Sequence, residues 1–306
     1  MNEFKEKWTI TNSTELDFDC KKWRLVADIL NDVSFFVDLL SPLWAGFFLP
    51  FACLSSLLRC VVGVAGGATR STIVNHQARR NNLADVAAKD GSQETLVNMA
   101  ALLISLFLLP AVSGKHGIIW TLFMLFTFIH LYANYRAVRG LNIRALNRKR
   151  AVIAIQSFLS SKKVPSVPDC NKLEPLFYSM IKGRRFYGCS LHSLCQALKD
   201  KKDDDDMAHL IDESHVDSRD RSSPRFYILY NRRLKTGYVA LHSSATVQTE
   251  LFTFYALEVM ALQEDLDAQV SLSEMEASFT KFMNELKNSG YETQIHHLGF
   301  DEWRYE

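Results

Sequence analysis

The hydrophobic pattern divides the chain into an apolar half, which ends near Ala137, and a mixed half that follows it. Two apolar runs stand out, Leu96–Val112 (LVNMAALLISLFLLPAV) and Gly117–Asn134 (GIIWTLFMLFTFIHLYAN). Neither carries a formal charge in its interior, and only Ser113–His116 separates them. At about 1.5 Å of rise per residue, each run covers most of the ~30 Å hydrocarbon core of a bilayer. Together they predict a transmembrane helical hairpin with a Ser-Gly-Lys-His tip. The competing reading is a pair of helices buried in a large soluble core. Trp120, Tyr132 and Tyr135 fall near the ends, where an interfacial aromatic belt belongs.

Upstream, Trp23, Val26, Leu30, Val33 and Val37 recur at spacings of three and four, which predicts an amphipathic helix over 20–40. Asp28, Asn31, Asp32 and Asp38 share a sector of roughly 120° on it. From Val33 to Leu58 the chain is apolar apart from Asp38 and a few serines, and is interrupted by Pro42 and Pro50. That predicts a kinked membrane helix whose freed carbonyls neighbouring helices must satisfy. An intramembrane carboxylate is expensive without a role, so Asp28, Asp32 and Asp38 are candidates for an ion or proton route; of these Asp38 alone is expected inside the membrane, Asp28 and Asp32 falling in the headgroup region or water, where they cost little.

Between the first apolar region and the hairpin lies a polar stretch, Gly63–Thr95. Gly63 and Gly67 form a G-x-x-x-G step with Gly66 beside it, which predicts close helix packing. Ser71–Lys89 reads as a helix ended by Gly91, with Asp90 or Ser92 capping the next span. On that helix His76, Arg80, Leu83 and Ala87 share a face, with Asn75, Arg79 and Asn82 to one side. Asp85 and Lys89 form an i,i+4 pair opposite. Adjacent arginines beside a histidine and asparagines suit a phosphate or carboxylate group bound bidentately. The candidate ligand-binding residues are therefore His76, Arg79, Arg80, Asn82 and Asp85; a solvated helix with no specific ligand is the alternative.

The basic segments 70–89 and 136–150 flank the hairpin on one face, and only Lys115 marks its tip. The positive-inside rule places both segments on the cytosolic side of a multi-pass membrane protein. Beyond residue 150 the composition changes. Val152–Leu159 continues a helix, and the prolines and serines after it predict a linker, 151–170 in all, leading to a soluble α+β domain over 171–306. Phe226–Tyr230 and Tyr238–His242 read as strands joined by a basic turn. Thr246–Leu262 and Ser271–Ser289 read as helices, the second capped by Ser271 and closed by Gly290. The acidic run 199–223 predicts a disordered insertion.

Composition narrows the function more than it defines it. A net charge of +1 over 306 residues, with no basic-aromatic patch, points away from nucleic acid. Six scattered cysteines make no disulfide framework. Cys189-x-x-His192-x-x-Cys195, with Cys170 upstream, fits no standard zinc spacing, so no metal site is expected. No hydrolase elbow, H-E-x-x-H or kinase set is present, and Asp90-Gly91 lacks the rest of the lipid-headgroup phosphotransferase motif. These absences favour a protein without enzymatic activity. The expected fold class is a mainly α membrane protein, with a kinked membrane helix and a transmembrane hairpin over 20–150, followed by the α+β domain.

Four segments carry a resemblance: DCKKWRLVADILNDV (19–33), VAGGATRSTIVNHQARRNNLADVAAKDGSQETLVN (64–98), HLYANYRAVR (130–139) and the terminal DEWR (301–304). With these the chain resembles the root UVB sensitive family (the DUF647 group), and its animal-type members in particular. The resemblance implies an integral membrane protein with no established reaction. It links the chain to relatives tied to UV-B response, auxin transport and vitamin B6 balance, and to action in pairs, hence a second family member or a homo-oligomer as partner beside the lipid membrane. Its first 19 residues have no evident counterpart, so the family's Gly/Ala-rich upstream segment is expected to be missing. A membrane scaffold or carrier-like protein is the leading expectation. A membrane-bound enzyme or cofactor-handling protein using the 70–95 stretch is the alternative, with no cofactor identified.

Overall fold

The computed structural model describes residues 16, 18–178, 180–181, 183–199, 208–212, 225–262, 272–301 and 303–306. They fall into two compact units, Met1–Leu141 and Asn142–Glu306.

Unit 1 is helical: α1 (Cys20–Leu40), a 3-10 segment (Ser41–Phe47), α2 (Phe48–Gln77), α3 (Leu83–Val112) and α4 (His116–Gly140). The prolines do not kink one helix; they mark a reversal. Pro42 opens the 3-10 segment, in which Trp44 leaves helical geometry (φ −128°, ψ 74°). Pro50 sits in the first turn of α2, where its missing N–H has no helical partner to lose. The expected single kinked helix is thus corrected to a helical hairpin. The short link and the Ser55 hydroxyl, which donates to the Ser34 carbonyl at 3.3 Å, fold α2 back along α1.

The seam of this hairpin uses small side chains. Cys20, Leu25, Ala27, Ser34 and Val37 of α1 are buried, as are Ser55, Ala65 and Thr69 of α2. Small residues let two backbones approach, and the Thr69 hydroxyl donates back to the Ala65 carbonyl at 2.7 Å, so it needs no partner across the seam. Gly63, Gly66 and Gly67 are not part of it: a Cβ added at any of them meets nothing within 4 Å. The expected glycine packing is therefore not made within this seam, which Ala65 and Thr69 line from the adjacent face.

The helix expected over Ser71–Lys89 is also corrected. α2 stops at Gln77, the chain turns through 78–82 with Asn81 at φ +56°, and α3 begins at Leu83. Asparagine adopts the left-handed region at lower cost than most residues, which makes Asn81 a natural breaker. Helix α3 then runs through Gly91 without pause. Ser92 donates to the Ala88 carbonyl within the helix rather than capping a new one. Helices α2, α3 and α4 are long and apolar enough to cross a membrane. Among their described residues α3 buries none and α4 only Val138, with Phe107 77% and Phe128 72% exposed. Phe36 of α1 packs against Trp120 and Phe123 of α4.

Unit 2 is α+β: β1 (Ala145–Asn147), α5 (Arg148–Ser161), α6 (Val167–Leu173), β2 (Arg184–Tyr187), α7 (Leu191–Lys199), β3 (Ala208–Asp212), β4 (Phe226–Asn231), β5 (Thr236–Leu241), α8 (Val247–Leu262), α9 (Leu272–Asn288) and β6 (Glu292–His297). One sheet has the order β2-β5-β4-β3, with β2 parallel to β5 and the rest antiparallel; β1 and β6 form a parallel pair. The predicted hairpin is present, with Phe226 opposite Leu241. Gly290 at φ +83° follows α9, as expected of a helix terminator; Ser271 lies outside the described residues. Within the acidic stretch 199–223, Lys199 ends α7 and Ala208–Asp212 pairs with β4, so those residues are not an unstructured insertion. The rest of that stretch lies outside the described residues.

Residues 151–170 are not a linker. Ala151–Ile155 and Phe158 of α5 enter the core with α8 and α9. Lys162 at φ +58° caps α5, and Ser166 accepts from the Asp169 N–H at the start of α6, with Pro168 in its first turn. The prolines and serines that suggested a flexible join are helix punctuation. The unit boundary therefore lies at 141/142, ahead of residue 150. At its base, buried Arg150 forks onto buried Glu174 at 2.9 and 2.8 Å, and Asn147 Nδ2 donates to the same carboxylate at 2.7 Å.

Two outcomes follow. Ala65→Leu should destabilise the α1–α2 hairpin by about 1–3 kcal/mol through overpacking, whereas Gly66→Leu should not disturb it; thermal unfolding in detergent micelles distinguishes them. Glu174→Gln strands the buried Arg150 charge and should cost about 3–5 kcal/mol, read as a lowered unfolding midpoint of the whole chain.

Candidate functional site

Polar groups on the apolar helices of unit 1 are matched across helices. Asp38 on α1 pairs with Arg59 on α2, whose guanidinium also lies over the Phe35 ring at 5.3 Å. Arg70 on α2 forks across to α3, with Nε 2.6 Å from Asp90 and NH1 2.6 Å from Glu94. Asp32 on α1 meets His130 on α4, Oδ2 to Nδ1 at 3.0 Å. One turn before Asp32 lies Asp28, with Arg24 Nε 3.9 Å away. The i,i+4 spacing of Arg24, Asp28 and Asp32 puts all three on one face of α1. Of the three expected ion-route carboxylates, then, Asp38 is balanced by an arginine, while Asp28 and Asp32 face α4.

The predicted ligand residues gather at the α2–α3 turn. His76 is half-buried in the last turn of α2, and Arg79 and Arg80 are exposed in the turn itself. Asn82 accepts from the Arg80 backbone N–H at 3.3 Å, and Asp85 is exposed in the first turn of α3. They are brought to one turn but do not lie on one continuous helix, because the helix breaks between them. The residues that motif reading missed are Arg59, Arg70, Glu94 and His130. His130 was visible as the polar interruption of an apolar run; Arg70 and Glu94 needed the turn to be recognised first.

The basic segment 136–150 is partly consumed by the fold of unit 2. Arg144 donates to the Gly290 carbonyl, Arg148 to those of Leu298 and Gly299, Lys149 to that of Leu176, and Arg150 pairs with Glu174. A second buried acid, Glu258, accepts from the Tyr187 hydroxyl at 2.7 Å and Arg185 Nε at 2.9 Å. Burial, reinforced by the Glu258 charge, pushes the Tyr187 phenol well above its ordinary range. Both networks hold elements together rather than line an opening.

No group of His, Cys, Asp and Glu suited to a metal ion occurs among the described residues. Cys170 is fully buried with its thiol toward the Arg150 carbonyl, and burial pushes the Cys189 thiol up to about 11. At pH 8, where only thiolate reacts, Cys189 should therefore alkylate about a hundredfold more slowly than an ordinary thiol. Cys195 is exposed and should label first within unit 2, as peptide mass mapping after brief maleimide treatment would show.

Comparison with known proteins agrees with these motifs. Residues 7–162, half of the chain, match the family described as the vitamin B6 photo-protection and homoeostasis domain, and residues 241–306 match the root UVB sensitive protein C-terminal domain. The first match begins at residue 7, ahead of the first resembling segment, 19–33, so part of the stretch expected to lack a counterpart lies within it. The chain is 40% identical over 171 residues to "RUS family member 1" of Dictyostelium discoideum, covering 55% of this chain and 32% of that protein. It is 41% identical over 167 residues to "Protein root UVB sensitive 3" of Arabidopsis thaliana, covering 55% and 38%. It is also 31% identical over 163 residues to that plant's "Protein root UVB sensitive 2, chloroplastic", covering 53% and 38%. The match thus spans about a third of the length of these relatives. No solved structure matches the chain. On the motifs and the family matches together, the chain belongs to the root UVB sensitive family.

Proposed function

We propose that this chain is a multi-pass, carrier-like membrane protein that holds a small polar molecule without transforming it. The observation that carries the reading is the pattern in unit 1. Its helices turn apolar side chains outward and match charged ones across helices, at Asp32–His130, Asp38–Arg59 and Arg70–Asp90/Glu94. Outward apolar surface suits lipid, and charges kept between helices suit a polar path through it. Arg79, Arg80 and the partly consumed 136–150 segment put the α2–α3 turn and the end of α4 on the cytosolic side. The family's vitamin B6 context makes a B6 vitamer phosphate the ligand class to test first, with His76, Arg79, Arg80 and Asn82 at the α2–α3 turn as its anion contacts. The open faces of Gly63, Gly66 and Gly67 suit a helix of a second copy or family member, and no part for nucleic acid is proposed.

The test is purification in lipid nanodiscs with bound small molecules identified by mass spectrometry, followed by titration with pyridoxal 5′-phosphate. The vitamer should bind unchanged, and Arg79→Ala with Arg80→Ala should weaken it by about tenfold or more. Conversion of the vitamer would favour the enzyme reading instead. Equal affinity in the double variant would remove the arginines from the site.

A further inference from the structure

Two segments far apart in sequence, 19–33 and 130–139, meet at a single polar point, and its charge balance is incomplete. Asp32 lies 3.0 Å from His130, and the side chains of Asp32 and Asp28 are only 12% and 13% exposed. Among the described residues Asp28 Oδ2 is buried without a hydrogen-bond partner, and Arg24 at 3.9 Å is beyond hydrogen-bond reach. Charges on the neighbouring helix α2 are engaged elsewhere: Arg59 with Asp38, and Arg70 with Asp90 and Glu94. Lys21, buried at the start of α1, lies about two turns from Asp28. From α4 the titratable group that faces the acids is His130.

Counted over Arg24, Asp28, Asp32 and His130 alone, with Arg24 and both carboxylates ionised, a neutral imidazole leaves one negative charge in excess, and one proton on His130 brings the four to balance. Burial of the two carboxylates penalises the unbalanced form, while the His130 side chain is 41% exposed. Counting along α4, His130 lies about 21 Å from the tip at His116 and about 9 Å before Arg136, inside the apolar span but nearer the basic end. A histidine at that depth, facing two carboxylates of which one is unsatisfied, is placed to take a proton from water and return it.

We infer that Asp28, Asp32 and His130 form a proton-transfer site between α1 and α4, by which the chain couples to a proton gradient. The proton comes from water, sits on the His130 imidazole with the Asp32 carboxylate as counter-ion, and leaves to water; no other co-reactant is needed. The inference rests on the carrier reading and names the coupling ion for it.

The experiment uses the full chain in lipid vesicles with pyranine inside, subjected to an outside pH step with and without external pyridoxal 5′-phosphate. In at least one condition the inner pH should relax faster than in protein-free vesicles. Asp28→Asn and His130→Gln, each checked for an intact gel-filtration peak, should return the rate to that of protein-free vesicles. Asp38→Asn, whose partner is Arg59, should not. Relaxation no faster than in protein-free vesicles in both conditions overturns the inference, as do Asp28→Asn and His130→Gln variants that match the unaltered chain. Because vitamer binding is measured separately, a chain that binds pyridoxal 5′-phosphate but moves no protons sinks this inference alone.

Discussion

Helices α3 and α4 present their apolar side chains outward along nearly their whole length, and everything else in unit 1 answers to that fact. In water such a surface would far exceed the apolar patch a soluble monomer tolerates, so it calls for hydrocarbon around it. Hydrocarbon supplies no hydrogen bonds, so a chain placed in it must form helices and hold its charged side chains against partners within the protein. The interhelical pairs of Asp38, Arg70 and Asp32 are of the kind such a setting would favour. In the α1–α2 seam, close contact rests on small side chains such as Ala27, Ser34, Ala65 and Thr69.

Unit 2 is built instead around a buried hydrophobic core. Its core is a layer of α5, α8 and α9 against a four-stranded sheet, with aromatic contacts such as Tyr255–Phe282 and Phe158–Phe282. Its cations serve as structural donors: Arg150 to Glu174, Arg185 to Glu258, and Arg148 to two carbonyls with its guanidinium over Tyr187. A basic run that sequence alone assigns to membrane orientation is thus divided. Arg136 and Arg139 remain on α4, while Arg144, Arg148, Lys149 and Arg150 belong to the second fold. The division explains why the boundary between units falls at residue 141 rather than after residue 150.

How much of this was legible beforehand varies with the physics involved. The apolar runs of α3 and α4 are long and free of charge, so they read correctly from composition, as did the β4–β5 hairpin from its alternating, β-branched and aromatic residues. The α1–α2 reversal was hidden because Pro42 and Pro50 mark a turn and a kink equally well; the decision depends on whether the two halves can pack. The break after Gln77 was hidden because it rests on Asn81 adopting a positive φ, a local choice that a run of good helix formers outweighs on paper. Of the candidate site, His76 to Asp85 are legible as residues, but on paper they fall on one continuous helix, because the break at 78–82 is not. His130 was passed over because a lone histidine in an apolar run is ordinary until its partner, 98 positions away, is seen.

The central claim is that α2, α3 and α4 cross a bilayer, with the α2–α3 turn on the opposite side from the α3–α4 tip. It is tested most directly by placing single cysteines at Asn81 and Gly114 in a chain freed of its own reactive thiols. Each is then labelled with a membrane-impermeant maleimide in sealed vesicles of known orientation. The account predicts that Asn81→Cys labels from the cytosolic face only and Gly114→Cys from the other face only. Labelling of both positions from the same face would contradict it.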